Sequence, residues 1–181
     1  MSTLVAPALL VIDLQALPLG NSKTMPADQL LRSVAALIGA FRDAGLPVVY
    51  AVSTGTPVGR TSSAESGRNW STEQAYIAPE VKPLETEIVV RRAAWSAFAG
   101  TGLAELLRDL NVTTTVVVGL ATPFGIESTA HDAYDAGFTV VVPTDAIAAP
   151  ELTAHEWTIN RVIPLLGTTA LSEDITESIK D

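Results

Sequence analysis

Three segments of this chain place chemically capable residues directly after apolar runs that have the length of buried strands. Asp13 closes the run Ala8-Leu-Leu-Val-Ile, with Gln15 two residues further on. Arg91 and Arg92 follow Ile88-Val-Val90, and Gly119-Leu-Ala-Thr-Pro-Phe-Gly125 joins a Val-rich run to a helical stretch. A carboxylate at a strand end can give or take a proton once burial tunes it. An arginine can clamp a carboxylate with two parallel hydrogen bonds. A helix N-terminus offers unpaired backbone N–H groups to an anion or oxyanion. Each feature alone has a plain structural account: a strand cap, a solvated edge, an ordinary Pro- and Gly-containing turn. Together they point to a site, because open α/β sheets bind ligands at the carboxyl ends of their strands, where all three fall.

Several other chemistries are removed by composition. The sequence has no cysteine, which excludes disulfides, thiolate zinc sites and thiol nucleophiles drawn from it. It has two histidines, His131 and His155, so a site with three or more histidine ligands is excluded too. Both histidines fall within expected helices, which argues against a Ser-His-Asp triad. Gly55-Thr-Pro-Val-Gly59-Arg60 lacks the lysine of a phosphate-binding loop, and neither GxGxxG nor GxSxG occurs.

The elements that must carry these residues follow from periodicity. Val- and Ile-rich runs alternate with amphipathic stretches, the pattern of a parallel sheet wrapped by helices. Strands are expected at 8–13, 47–52, 88–90, 114–119, 138–142 and 167–171. Helices are expected at 27–44, where Leu30, Leu31, Val34, Leu37, Ile38 and Phe41 share one face, and at 101–110, 125–136 and 151–163. Residues 53–72, rich in Ser, Thr, Gly and Arg, read as a long loop of the kind that covers or binds ligands. With 181 residues, 48% hydrophobic and 17% charged, the chain suits one α/β domain spanning 1–181 with a substantial core. A formal charge of −9 with no basic run argues against nucleic acid or an anionic membrane as partner. No apolar window approaches the roughly 18 residues of a membrane span, and no signal-peptide layout is evident, so a cytoplasmic location is expected.

The same segments resemble the isochorismatase-like hydrolase family, which includes nicotinamidases, N-carbamoylsarcosine amidases and isochorismatases. Leu9-Leu-Val-Ile-Asp-Leu-Gln15 is similar to the family's opening strand with its acidic residue. Arg92-Ala-Ala-Trp-Ser-Ala-Phe-Ala-Gly-Thr-Gly-Leu103 resembles its Lys-x-x-x-Ser-Ala-Phe-x-Gly-Thr-x-Leu segment. Gly119-Leu-Ala-Thr-Pro-Phe-Gly-Ile-Glu-Ser-Thr-Ala-His-Asp-Ala133 resembles the Gly-Val-x-Thr-x-x-Cys-Val-x-x-Thr-Ala-x-Asp-Ala block, and Asp145-Ala and His155-Glu156 fall at its Asp-Ala and His-Glu signals. The resemblance spans nearly the whole chain in order. It implies a single three-layer domain with a mostly parallel, Rossmann-like six-stranded sheet and helices on both faces.

Family cysteine hydrolases use an Asp–Lys–Cys set; the matching positions here are Asp13, Arg92 and Gly125. Glycine cannot form a thioester, so the resemblance implies chemistry without a covalent thiol. Isochorismatases also carry Gly there and cleave a vinyl ether with the Asp as acid. The catalytic candidates are therefore Asp13, Arg92 and Gly125. Strand alternation lets only one of Arg91 and Arg92 face the pocket, and that one is the candidate clamp for a substrate carboxylate. Gln15, Arg60, Arg68 and Thr122 are candidate substrate contacts, and Trp70, Trp95 and Phe124 candidate aromatic walls beside the space at Gly125. Family members often show a cis peptide near this turn, and the resemblance leaves open whether Ala121-Thr122 is cis. No metal is expected, because the zinc-binding members place Asp and His after the second strand and residues 53–80 here have neither. No cofactor is expected either. A homo-oligomer, a dimer or larger, binding a small-molecule substrate is expected. Three functions stay open: a cysteine-independent hydrolase of a small carboxylated or cyclic metabolite; a biosynthetic enzyme repurposed for elimination, isomerisation or cyclisation; and a non-catalytic metabolite-binding protein.

Overall fold

The computed structural model describes residues 4–59, 61–62 and 67–180. Among the described residues, seven strands form one wholly parallel sheet: β1 (Pro7–Ile12), β2 (Val48–Ser53), β3 (Ile88–Arg92), β4 (Thr114–Leu120), β5 (Thr139–Pro143), β6 (Ile147–Ala148) and β7 (Thr168–Ala170). Six of them lie in the order β3-β2-β1-β4-β5-β7, as expected for a six-stranded sheet. The two-residue β6 is an addition, pairing with the end of β4 beyond the reach of β5.

Both faces of the sheet are covered, so the central strands are apolar on both sides rather than alternating. Ala8, Leu10 and Ile12 of β1 point into one core with Leu103, Leu107, Ile126 and Ala130. Leu9 and Val11 point into the other, against Leu30, Val34, Leu37 and Phe41. The first layer is formed by α3 (Leu103–Asp109), α4 (Glu127–Asp135) and α6 (Ile163–Leu166); the second by α2 (Ala27–Asp43) and α7 (Ser172–Ser178). The remaining helices, α1 (Ala16–Gly20) and α5 (Leu152–Trp157), are short and bury no side chain fully.

The chain runs outward from β1 through β2 to β3, then crosses back to lay β4 on the other side of β1. Connections therefore diverge from the β1–β4 seam, the kind of switch point where such sheets open a crevice for a ligand. Gly119 lets the strands meet there. Its φ is +112°, and a Cβ on it would fall 2.1 Å from the Ile12 carbonyl oxygen.

Two local expectations need correction. Residues 151–163 do not make one regular helix, because a π-helical turn (Thr158–Val162) separates α5 from α6. The helix expected from residue 125 begins as a π-helical turn (Thr122–Ile126) before α4. Two helices were not expected: α1, at 5 residues too short to display a repeating apolar stripe, and α7.

Candidate active site

Asp13 leaves β1 with φ +48°, a left-handed conformation that Asp tolerates better than most side chains. Its N–H donates to Ala51 O on β2 at 3.0 Å. Arg92, the last residue of β3, reaches past β2 and grips this carboxylate with both terminal nitrogens. Nη1 donates to Asp13 Oδ1 at 2.6 Å and Nη2 to Oδ2 at 2.9 Å. Nη2 also donates to Trp95 O at 3.0 Å. The Arg92 side chain is only 2% exposed and that of Asp13 13%. Burial pushes the Asp13 carboxyl above its ordinary value, while the hydrogen bonds and charge of Arg92 pull against that rise. Arg91 points the other way and is exposed, so Arg92 is the inward arginine. With both Nη atoms committed to Asp13 and Trp95, it supports the carboxylate rather than presenting a free fork to a ligand.

The segment that supplies Trp95 O has no regular structure and is tied down by buried hydroxyls. Ala97 N donates to Thr129 Oγ1 of α4 at 3.0 Å, and Phe98 N to Ser96 Oγ at 3.1 Å. Thr101 Oγ1 closes the segment by donating to Ala97 O.

Asp13 forms one wall of a cavity of about 270 Å³. The other walls are Trp70, Trp95, Phe124, Gly125, Leu120, Ala121 and Pro150, with Leu17, Pro18 and Asn21 from α1 and its end. Asp13 is the one charged residue among them. Trp95 and Phe124 pack ring to ring, 5.0 Å between centroids, and stay 58% and 40% exposed at the rim. Gly125 is hemmed in: a Cβ there would lie 2.8 Å from Leu120 O, 3.0 Å from Ile12 Cγ2 and 3.4 Å from Asp13 Oδ2. The cis peptide of this turn is Leu120–Ala121, one bond before Ala121–Thr122.

Other expected contacts are placed differently. Gln15 is 1% exposed, and its amide staples backbone together, donating to Ser53 O and Ala75 O and accepting from Ser53 N. It therefore shapes the site from behind. Thr122 is wholly buried, with Oγ1 donating to Ala148 O at 3.1 Å and lying 2.8 Å from His155 Nδ1. The Thr122 hydroxyl thus bridges Ala148 O and the His155 ring. His155 thus braces the turn that carries Phe124 and Gly125, a role hidden by the 33 residues separating it from Thr122. Burial lowers its pKa, against the opposing charge of Glu156.

The loop at 53–72 is partly a narrow antiparallel ribbon. Gly55 bridges Asn69, Thr56 N donates to Arg68 O, and Trp70 N donates to Thr54 O, which sets Trp70 at the cavity. Arg68 lies on this ribbon and does not line the cavity. Arg60 lies outside the described residues.

A buried, arginine-clamped aspartate thus sits at the switch point of a parallel sheet in a three-layer α/β protein. The chain belongs to the isochorismatase family, whose domain model matches residues 7–174. It is 31% identical to the isochorismatase family protein YecD of Escherichia coli O157:H7, over 95% of each chain. It is 34% identical to a streptothricin hydrolase of Streptomyces noursei, over 81% of this chain and 56% of that protein. Among solved structures, an isochorismatase family protein from Burkholderia thailandensis superposes with a TM-score of 0.93 at 28% identity, covering all of both chains.

Proposed function

We propose that this protein is a hydrolase of a small carboxylated or cyclic metabolite that works without a thiol nucleophile, with Asp13 as general acid and base. The observation that carries this reading is the Asp13–Arg92 pair: a buried carboxyl with a raised pKa, held by two hydrogen bonds at the wall of an apolar cavity. Relatives named as a streptothricin hydrolase, a nicotinamidase and an N-carbamoylsarcosine amidase support hydrolysis as the reaction type. The absence of cysteine and the crowding at Gly125 speak against covalent thiol catalysis.

On a vinyl ether the steps balance as follows. Protonated Asp13 gives its proton to the terminal vinyl carbon, and the resulting oxocarbenium ion takes up water. The proton lost by that water returns to the Asp13 carboxylate, and the hemiketal then breaks its carbon–oxygen bond to release a keto acid and an alcohol. Arg92 stabilises the carboxylate that exists between these two transfers. Its fixed positive charge also favours a second reading, in which Asp13 acts from the ionised state as the base of an elimination or isomerisation.

Isochorismate turnover by the wild type and Asp13→Asn, run in oxygen-labelled water, tests both. Turnover with label in the product and loss of activity in the variant is expected. Loss of activity with unlabelled product turns the assignment to the second reading, and no wild-type turnover overturns the vinyl-ether substrate.

A further inference from the structure

A second cavity, of about 520 Å³, shares Trp70 as a lining residue with the first. Two cations face into it from different elements: Arg91 at the end of β3, and Lys82 after the short turn at Pro79–Val81. Both are exposed, and neither has a carboxylate within 4.0 Å among the described residues. Lys23, Arg161 and Lys180 likewise have no carboxylate partner among the described residues, so what distinguishes Lys82 and Arg91 is that both line the same cavity. Thr54, Thr72 and Tyr76 also line this cavity, and their hydroxyls have no hydrogen-bond partner among the described residues. The first cavity, by contrast, offers an anion no positive group, because Arg92 sits behind Asp13 and is already paired.

We infer that the cavity between Trp70, Lys82 and Arg91 is a binding subsite for an oxyanion, a carboxylate or phosphate group carried by the ligand whose reactive part lies against Asp13. Trp70 is shared by the two compartments, so a planar or alicyclic body packs against the indole in one while the anionic group is met by Arg91 and Lys82 in the other. A guanidinium matches two oxyanion oxygens at once, and the ammonium adds an adjustable point charge. That the occupant is the substrate rests on the function proposed above; that the cavity binds an oxyanion does not.

The test is binding rather than turnover, so that its failure stays separate from failure of the catalytic reading. The full chain, isotope-labelled for NMR, is titrated at low ionic strength with inorganic phosphate and, separately, with malonate. Saturable shifts are expected in the amides of residues 54, 70–77, 82 and 91 with at least one of the two anions, and the tighter one identifies the source chemistry. Lys82→Gln/Arg91→Gln, at two exposed positions where folding is unaffected, is expected to weaken that binding by about tenfold or more. Asp13→Asn is expected to retain it. The inference is overturned if neither anion gives saturable shifts at these positions, or if the double variant binds as the wild type does.

Discussion

Arg92 holds both carboxylate oxygens of Asp13, at 2.6 and 2.9 Å, from a strand that is not its neighbour in the sheet. The two residues are 79 positions apart in sequence and meet because β2 lies between β1 and β3 in register, pairing Ala51 with Ile12 and Ser53 with Arg92. A buried pair of this kind matters most when half of it is removed. Arg92→Met leaves Asp13 buried without its cation and is expected to destabilise the fold by about 3–5 kcal/mol. Adding Asp13→Asn should recover a measurable part of that loss, since the two sites are directly coupled. Urea unfolding of the two single variants and the double variant measures this, and strictly additive effects would show the pair to be energetically uncoupled.

The pH profile distinguishes acid from base. Burial, opposed by Arg92, places the folded pKa of Asp13 above its ordinary 3.8. As an acid, Asp13 is active when protonated, so kcat/KM should be highest at low pH and fall as pH rises through that raised value. As a base it is active when ionised, and the same titration should appear as a limb that rises with pH. Turnover across the acidic range decides between them.

Glu87 anchors the approach to β3 and gives a stability signal of known sign. Its carboxylate accepts from Arg42 Nε and Nη2, both at 2.8 Å, and from Leu84 N at 2.7 Å. Burial raises the Glu87 pKa, but these donors outweigh it, so the folded value lies below 4.5. A lowered pKa means the stabilisation is fully present above about pH 4.5 and is lost as pH falls through the folded value. Glu87→Gln should cost about 1 kcal/mol at neutral pH, with the difference from wild type closing in acid. Denaturant unfolding at neutral pH and near pH 3 tests this.

Restoring a side chain at Gly125 should harm rather than help. A Cβ would press on Leu120 O and Ile12 Cγ2, a backbone carbonyl and a core-strand side chain with little freedom to give way. Gly125→Cys is expected to lose about 1–3 kcal/mol and to gain no amidase activity. A variant as stable as the wild type, with thiol-dependent amide hydrolysis, would overturn this account of the turn.

The strand runs, the long amphipathic helix and the three polar segments at the strand ends were legible because each depends on local pattern: a continuous apolar run for a strand covered on both faces, a 3.6-residue period for α2. So were the family motifs that placed Asp13, Arg92 and Gly125. The helices α1 and α7 and the two-residue β6 were not legible in the sequence. Nor was the split of the helix at 158–162, whose π-helical turn falls inside a pattern that reads as continuous.

Side-chain commitments are decided by distance in space, and there the tertiary structure alone speaks. Gln15 and Thr122 have the chemistry of ligand contacts, but Gln15 is consumed by the backbone of residues 53 and 75, and Thr122 by Ala148 and His155. Arg92 could have clamped a ligand; the position of β2 turns it onto Asp13 instead. The sequence by itself determined which residue types reach the carboxyl edge of the sheet, because strand ends are a local property. Which of them pair with each other, and which are left facing the cavities, was determined by the order in which the strands pack.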